Sequence, residues 1–230
     1  MRTGIFVQVR LGSTRLARKA LLPLAGSTVL GHVMRALERV PADVRALLTD
    51  PASLDALAPE AAARGFLAIP GRAEDVLGRF ADAARQLDVQ RVVRATGDNP
   101  LTCPRLARDI LAIHEARGAD LSHYLDIPWG TGVEVVETGA LRAAEREATA
   151  SDEREHLTTF MYRHPVRFFI VEEPAPPAYR MGGARVTIDT AEDYERVCRL
   201  FADLYRNEPI EADAVVEWWQ REGTGGSARG

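Results

Sequence analysis

Residues 7–26 read VQVRLGSTRLARKALLPLAG, and this stretch decides the fold that the chain is expected to adopt. A short, mainly apolar run ends in a loop that contains a glycine, two hydroxyl side chains and the cations Arg10, Arg15, Arg18 and Lys19. In an open α/β sheet, the loop after the first strand is a common place for a phosphate. Gly12 lets the backbone approach an anion, Ser13 and Thr14 offer hydroxyl donors, and arginines match phosphate oxygens. The stretch therefore predicts a first β-strand followed by an anion-binding loop.

The overall composition indicates a small anionic ligand rather than a polymer. The chain has 230 residues, a net charge of −4, 46% hydrophobic residues and 27% charged residues, which is ordinary for a globular protein. Nucleic acid and anionic membranes require clustered basic charge over a wide surface. We therefore expect neither as a partner, and we interpret the local basic loop as a site for a small anion.

The two cysteines and the apolar runs bear on the compartment. Cys103 and Cys198 are far apart and lack the spacing of a zinc site or a disulfide framework. The first residues lack the apolar region of a signal peptide, and no apolar run approaches the roughly 18 residues of a membrane span. These features predict a cytoplasmic protein with reduced thiols.

The first half of the chain alternates short apolar runs with helical patterns. Strands are predicted over 4–9, 44–50, 65–70 and 91–98, and helices over 27–40, 73–87 and 103–117. The predicted strands are mostly apolar on both faces, as parallel strands between two helical layers are. Repeated β-loop-α units predict an α/β fold with a wound, mostly parallel sheet and helices on both faces.

The pattern loosens after residue 118. Strands are predicted over 119–124, 132–137, 166–173 and 184–190, and helices over 151–165, 191–205 and 211–222, the first with Ser151 at its start. We therefore predict one domain over 1–222, with an insertion at 119–180 that returns the chain to the sheet, and a flexible tail over 223–230. Trp218 and Trp219 on the last helix are expected to serve packing or a partner surface.

Two aspartates follow predicted strands and are candidate metal ligands. Asp98 lies in RATGDNPL and Asp189 in VTIDTAED. Carboxylates at the carboxyl ends of different strands can meet over one site, and beside a triphosphate they would hold Mg²⁺. Each has a structural alternative, because Asp189 could be a helix N-cap and Asp98 could belong to a simple turn.

The basic loop has neither of the two common phosphate-binding glycine patterns. It is not GxGxxG and not GxxxxGK[ST], so hydride transfer with a dinucleotide has little support, although Asp50 could serve as the ribose ligand. Within 71–79, Asp75 and Arg79 lie one helical turn apart and could recognise the edge of a base. A surface ion pair is an equally good interpretation of that spacing.

Several ordered motifs together resemble a known family. VRLGSTRLARK, GRAEDVLGRF, RATGDNPL, GVEVVETGAL, REHLTTFMYRHP and VTIDTAEDYERV are similar to the cytidylyltransferases that make CMP-activated sugars. Those include the 3-deoxy-manno-octulosonate and acylneuraminate enzymes, and the most similar branch is the one named for spore coat polysaccharide synthesis. The resemblance implies a Rossmann-like nucleotide-diphospho-sugar transferase fold, Mg²⁺ as cofactor and CTP as nucleotide.

The resemblance also implies roles for individual residues. Arg10 and Lys19 would be catalytic, contacting the phosphates and stabilising charge as pyrophosphate leaves, while Asp98 and Asp189 would hold the metal. The nucleotide-binding residues would be Gly12, Ser13, Thr14, Arg15, Asp75, Arg79 and Thr96. The acceptor-binding residues would be Glu134, His156 and Arg163, and the segment 119–180 would build a homodimer.

Two positions depart from the family pattern. The family has Pro-Gly before the lysine where this chain has Ala17 and Arg18, which leaves open whether Arg18 or Lys19 is the main phosphate cation. The family also has an aspartate at Gly132, whose absence indicates a different acceptor or one with fewer hydroxyls.

The resulting function hypothesis is transfer of CMP from CTP to a small anionic acceptor, most simply a sugar acid, with release of pyrophosphate. The product would serve polysaccharide or glycoconjugate biosynthesis. Alternatives are transfer with another base, a phosphonate or other small acid as acceptor in secondary metabolism, and a non-catalytic nucleotide-binding domain. Retaining glycosyltransfer normally uses a D-x-D metal motif, which the chain lacks.

Overall fold

A computed structural model describes residues 1–13 and 15–225, with the side chains of 223–225 left aside. The strands within these residues are β1 (Thr3–Gln8), β2 (Pro23–Leu24), β3 (Ser27–Thr28), β4 (Val44–Thr49), β5 (Leu67–Pro70), β6 (Arg91–Thr96), β7 (Leu121–Leu125), β8 (Glu134–Glu137) and β9 (Ile170–Pro174). The helices are α1 (Val29–Leu37), α2 (Pro51–Ala62), α3 (Val76–Gln86), α4 (Pro104–Arg117), α5 (Thr138–Glu147), α6 (Ser151–Glu155), α7 (Thr159–Arg163), α8 (Ala191–Leu204) and α9 (Ala212–Gly225).

One seven-stranded sheet organises the fold, in the order β5-β4-β1-β6-β8-β7-β9. The first four of these strands are mutually parallel, β8 is antiparallel to both of its neighbours, and β9 is parallel to β7. The predicted mostly parallel mixed sheet is therefore confirmed. The strands of segment 119–180 belong to this same sheet and extend it beyond β6.

Alternate side chains of β1 show that helices cover both faces of the sheet. Ile5 and Val7 pack in a buried cluster with α1 and α4, whereas Phe6 packs in a second buried cluster with α3 and α5. A strand sends successive side chains to opposite faces, so both faces must be apolar here. The predicted helices on both faces are confirmed.

A third buried cluster joins the last two helices to the segment before α8. Trp218 is buried there, and its Nε1 donates to Asp203 Oδ2 at 2.7 Å. Trp219 packs at the edge of the same cluster, with the guanidinium of Arg196 over its ring. The expectation that the tryptophan pair serves packing is confirmed for Trp218. No helix among the described residues is long and apolar enough to cross a membrane.

Two predicted elements are wrong. The segment 184–190 is not a strand, because it lies beyond the sheet and pairs with a loop through a single bridge between Trp129 and Arg185. The helix predicted over 151–165 is divided into α6 and α7, since His156 takes an extended backbone conformation. The weak helix formers Thr158 and Thr159 follow the break.

Other boundaries shift by a few residues. The side chain of Thr28, rather than Ser27, caps α1 by accepting from the N–H of Gly31. The last helix continues to Gly225, three residues beyond its predicted end at 222, and 226–230 lie outside the described residues. Helices α2 and α5 were not predicted.

Asp50 and Ser53 anchor the loop that follows β1. Asp50 caps α2 by accepting from the N–H and hydroxyl of Ser53, and Ser53 Oγ accepts from the N–H of Leu11 at 3.0 Å. The carboxylate considered as a ribose ligand is thus a helix cap. At the neighbouring strand end, a Cβ on Gly97 would lie 2.7 Å from Val9 Cβ, so glycine lets the ends of β6 and β1 approach closely.

Arg18 forms the turn that presents Lys19. Its φ of 52° lies in the left-handed region, and it precedes a short 3-10 helix over Lys19–Leu21. The family's glycine at this position would adopt that conformation freely, whereas any other residue pays a steric penalty of roughly 1–2 kcal/mol. The turn is therefore built as a glycine turn even though an arginine occupies it, and the Arg18 side chain is exposed.

We expect Arg18→Gly to be more stable than Arg18→Ala. Both variants lose the guanidinium, but only glycine relieves the left-handed strain, so the difference in unfolding free energy should be about 1 kcal/mol. Chemical denaturation of the two variants measures it. Equal stabilities would show that the turn is not strained.

Candidate active site

A cleft of about 430 Å³ opens at the carboxyl ends of β1 and β6. Many of the residues predicted from the sequence line it: Arg10, Gly12, Ser13, Arg15, Lys19, Arg79, Thr96, Asp98 and His156. A Cβ on Gly12 would meet no atom within 4 Å, so glycine is not required there by packing and leaves its backbone open to a ligand. Thr14 lies outside the described residues.

The centre of the site is a cation between two carboxylates. Lys19 Nζ lies 2.5 Å from Asp98 Oδ2 and 2.8 Å from Asp189 Oδ1. The ammonium is mostly buried, and the two aspartates come from segments far apart in sequence. The structure therefore brings Asp98 and Asp189 together at one cation, and their role as metal ligands stays a prediction.

Further cations surround Asp189. Arg15 Nη2 lies 2.9 Å from Asp189 Oδ1, and Arg185 pairs with the other carboxylate oxygen. Partial burial raises the pKa of Asp189, but the hydrogen bond from Lys19 and the positive charges around it outweigh burial, so the pKa lies below its ordinary value. Arg185 was missed by sequence reasoning. The available signal was the alternation in RVTID, which places residues 185, 187 and 189 on one side.

The carboxylate pair suits a hard divalent ion that also binds phosphate. No group of three or more His, Cys, Asp or Glu side chains within residues 1–13 and 15–225 could hold a metal by itself. Mg²⁺ is commonly held by one or two carboxylates, with substrate phosphates and water completing its coordination. Two carboxylates that already share one cation meet that requirement.

Of the structural alternatives considered for the two aspartates, the turn at Asp98 is present and the N-cap role of Asp189 is not. Thr190 and Asp193 form the capping box of α8, so Thr190 rather than Asp189 is the N-cap. Asp98 lies in a turn in which the N–H of Asn99 bonds to the carbonyl of Thr96, and its own carbonyl accepts from Ile188. These backbone bonds fix both carboxylates at the mouth of the cleft.

Arg79 is a buried cation with unpartnered donors. Only 4% of the residue is exposed, and its Nε and Nη1 have no hydrogen-bond partner. Burial lowers the pKa of Arg79, partly offset by Asp50 and Asp75 and reinforced by Arg10. A Cβ on Gly71 would lie 2.8 Å from Arg79 Cγ, which explains glycine at that position. The side chain is held in place with donors unused at the cleft.

Asp75 does not line the cleft and has a structural role. Its carboxylate caps α3 by accepting from the N–H of Gly78 at 2.8 Å. It also pairs with Arg72 and Arg154 at 3.4 and 3.2 Å. The spacing to Arg79 therefore does not form a surface ion pair, and a nucleotide-binding role for Asp75 stays a prediction.

The predicted acceptor residues are not all at the cleft. His156 lines it, whereas Arg163 is an exposed side chain paired with Asp152 and Glu153. Glu134 accepts from Arg94 at 3.0 Å, from the Thr158 hydroxyl at 3.0 Å and from Tyr162 at 3.2 Å.

Arg94 connects Glu134 to the cleft. Its Nε and Nη2 donate to Gln8 Oε1 at 3.1 and 3.0 Å, and Gln8 lines the cleft. The hydrogen bonds from Gln8 through Arg94 to Glu134 therefore hold a side chain of the cleft in position. Glu134 affects the cleft only through Arg94 and Gln8. Sequence reasoning missed Gln8 and Arg94.

Comparison with known proteins identifies the family and the fold of the chain. The sequence profile of the family described as cytidylyltransferase matches residues 5–215. The chain belongs to the cytidylyltransferase family. A spore coat polysaccharide biosynthesis protein, SpsF, from Bacillus subtilis is 31% identical over 217 residues, covering 91% of this chain and 90% of its own length.

Two solved cytidylyltransferase-like structures share the fold. A cytidylyltransferase from Leptospira borgpetersenii has a TM-score of 0.90 at 24% identity, covering 97% of this chain and 96% of that one. A CMP:2-keto-3-deoxy-manno-octonic acid synthetase complexed with CTP has a TM-score of 0.70 at 17% identity, covering 88% and 99%. The Rossmann-like nucleotidyltransferase fold expected from the resemblance is confirmed.

The unpartnered donors of Arg79 lead to a stability prediction. Arg79→Met should leave the unfolding free energy of the ligand-free protein unchanged or raise it by about 1 kcal/mol, because each unsatisfied buried donor carries a desolvation penalty. Arg91 is the matched control, since 6% of it is exposed and its guanidinium pairs with Glu115 and Glu137. Arg91→Met should cost about 3 kcal/mol. Equal losses of unfolding free energy in the two variants, measured by chemical denaturation, would contradict the interpretation that the donors of Arg79 are unsatisfied.

Proposed function

We propose that the protein is a cytidylyltransferase that transfers CMP from CTP to a small anionic acceptor and releases pyrophosphate. The observation that carries the proposal is the convergence of Arg15 and Lys19 with the carboxylates Asp98 and Asp189 at one end of the cleft. Phosphoryl transfer needs positioning and charge neutralisation more than covalent chemistry by the protein. The cleft supplies both.

In the proposed reaction a hydroxyl oxygen of the acceptor attacks the α-phosphorus of CTP. The new phosphorus–oxygen bond forms as the bond to the β-phosphate breaks, pyrophosphate leaves with those electrons, and the hydroxyl proton is released to solvent. Arg10, Arg15 and Lys19 would bind the phosphates and stabilise the leaving charge, and Gly12, Ser13 and Thr14 would bind the nucleotide. Lys19 rather than Arg18 faces the centre, which favours it as the main phosphate cation.

Asp98 and Asp189 would hold Mg²⁺ when the nucleotide is present. The metal supplies neutralisation of the phosphate charge and orientation of the leaving group. Lys19 contacts the same two carboxylates, so the proposal requires that its ammonium bind the phosphates when a metal shares them. A cation would then face the carboxylates in either case, the monovalent ammonium or the divalent metal.

The buried guanidinium of Arg79 supports recognition of the nucleotide base or ribose. Its free donors suit the carbonyl and ring-nitrogen acceptors that cytosine presents. Thr96 lines the same cleft. Another base stays the second candidate, because uracil and guanine also present carbonyl acceptors.

The acceptor is most simply a sugar acid. The synthetase of similar fold is named for 2-keto-3-deoxy-manno-octonic acid, and SpsF is named for spore coat polysaccharide biosynthesis. The product would then serve polysaccharide or glycoconjugate synthesis, in the cytoplasm as the sequence predicts. A phosphonate or another small acid is the alternative acceptor.

We expect Mg²⁺-dependent stabilisation by CTP. The measurement is a melting-temperature panel of CTP, UTP, GTP, ATP and dTTP, each with and without Mg²⁺. A ligand at about a hundred times its dissociation constant stabilises by roughly 2.7 kcal/mol. Arg79→Met should weaken CTP binding at least tenfold, while Arg163→Met, an exposed arginine outside the cleft, should not. Stabilisation by another nucleotide would change the base, and no stabilisation would favour a non-catalytic domain.

We also propose that the protein forms a homodimer through the surface next to β9, the last strand of the sheet. Val166, Phe169 and Tyr162 are exposed apolar or aromatic side chains beside this edge. An edge strand with apolar neighbours is a common place for a second copy of a chain to associate. The resemblance to dimeric relatives supports the same segment.

Val166→Asp with Phe169→Asp should convert the dimer to a monomer, because two buried charges would face each other across a two-fold interface. Sedimentation equilibrium measures the mass. Leu67→Asp is the matched control, since Leu67 is exposed on β5 at the opposite edge. A wild-type monomer, or dissociation by the control alone, would contradict the proposal.

A further inference from the structure

The segment that carries Asp189 has two unlike faces. Val186 and Ile188 are fully buried in the third cluster, whereas Arg185, Thr187 and Asp189 alternate with them and bond to one another. An extended backbone sends alternate side chains to opposite sides. Arg185 and Thr187 therefore belong to the same face as the carboxylate that would hold the metal.

Trp129 lies on that face. It is bridged in parallel register with Arg185, and its N–H and carbonyl bond to Ala184 and Val186 at 2.8 and 2.9 Å. Residues paired across parallel backbones project their side chains on the same face. The indole is therefore next to Arg185 on the side of Asp189, yet it is 70% exposed.

The backbone under Trp129 is held in place. Gly130 has a φ of 109°, and a Cβ there would lie 3.1 Å from the backbone nitrogen of Thr187, so only glycine allows this approach. Two backbone bonds and this close contact fix the loop. An exposed indole on a fixed backbone offers a large, positioned contact surface, and tryptophan is enriched at binding interfaces.

The adjoining part of the loop is also apolar. A Cβ on Gly132 would lie 2.4 Å from Ile127 Cδ1, so Ile127 fills the space next to the position at which the family carries an aspartate. In this space the loop therefore has an isoleucine, packed partly against the core, where the family has a carboxylate. Arg185 adds a half-exposed guanidinium with five donors, of which the bonds to Thr187 and Asp189 occupy two.

We propose that Trp129 and Arg185 form the acceptor-binding wall of the site. Trp129 would stack on the apolar face of the acceptor, and Arg185 would bind its carboxylate or phosphonate beside Asp189. The acceptor class is therefore a small anion with one apolar face. The inference rests on the proposed function and names the side of the site from which the attacking hydroxyl arrives.

The first step of the test identifies the acceptor. Pyrophosphate release from CTP and Mg²⁺ is measured with sugar acids, beginning with 3-deoxy-manno-octulosonate, with aminoalkyl phosphonates, and with the neutral methyl ester of the octulosonate. The proposal expects turnover of at least one of the anionic compounds. If the octulosonate is the substrate, kcat/KM for its neutral ester should be at least tenfold lower than for the parent acid. Preference for a neutral acceptor overturns it.

The second step uses the acceptor found. Trp129→Ala should raise its KM at least tenfold, with kcat changed less than threefold and the KM of CTP unchanged within twofold. Arg185→Gln should raise the same KM, and an effect on kcat alone would show that Arg185 only orients Asp189. Trp219→Ala, an indole remote from this face, is the control. An unchanged acceptor KM in Trp129→Ala overturns the proposal.

A binding measurement separates this inference from the function on which it rests. With a non-hydrolysable CTP analogue and Mg²⁺ present, the acceptor should change the indole emission of the wild type but not of Trp129→Phe. If CTP binds but none of the anionic acceptors does, only the proposal that Trp129 and Arg185 bind the acceptor is overturned. Failure of CTP to bind overturns the proposed function and this inference with it. Loss of self-association in Trp129→Ala would assign the indole to an interface instead.

Discussion

The ammonium of Lys19 between Asp98 and Asp189 is the interaction on which the site depends. It connects the loop after β1, the turn after β6 and the segment before α8, which are remote in sequence. Two carboxylates this close repel each other unless a cation lies between them. The observed arrangement of the two carboxylates therefore depends on the lysine.

Arg79 and Arg91 are the same residue type with different partners, and we propose a binding role for the first and a structural role for the second. Both are almost fully buried, but Arg91 contacts two glutamates whereas Arg79 keeps two donors unpaired. A buried polar group without a partner destabilises the folded state. Such a cost persists only where something offsets it, and at a cleft that is the ligand. Whether a buried guanidinium has donors without a hydrogen-bond partner is therefore a better indication of a binding role than how exposed the side chain is.

The residues that line the cleft after β1 and β6 could be predicted from the sequence because short motifs carry them. The loop after β1 carries its glycine and cations within ten residues, and Asp98 directly follows a strand with an apolar pattern. Local signals also predicted β1, β4 and β6, since parallel strands between helices are continuously apolar. The prediction of one helix over 151–165 was wrong, because its periodic pattern continues through His156, where the backbone is extended and the helix ends. The role of Asp50 could not be decided from the sequence, because a helix N-cap and a ribose-binding carboxylate can both directly follow a strand.

The acceptor side could not be predicted in the same way, for a physical reason. It is formed by two irregular segments, around Trp129 and Arg185, that pair with each other and with no strand of the sheet. In neither segment does the periodic spacing of apolar residues continue long enough to show which side chains share a face. The strand predicted over 184–190 came nearest to the extended segment that the structure has there. Their register is set by Gly130, whose positive φ cannot be inferred from composition. A fold that fixes the nucleotide with local motifs and the acceptor with paired loops can change acceptor without changing its chemistry.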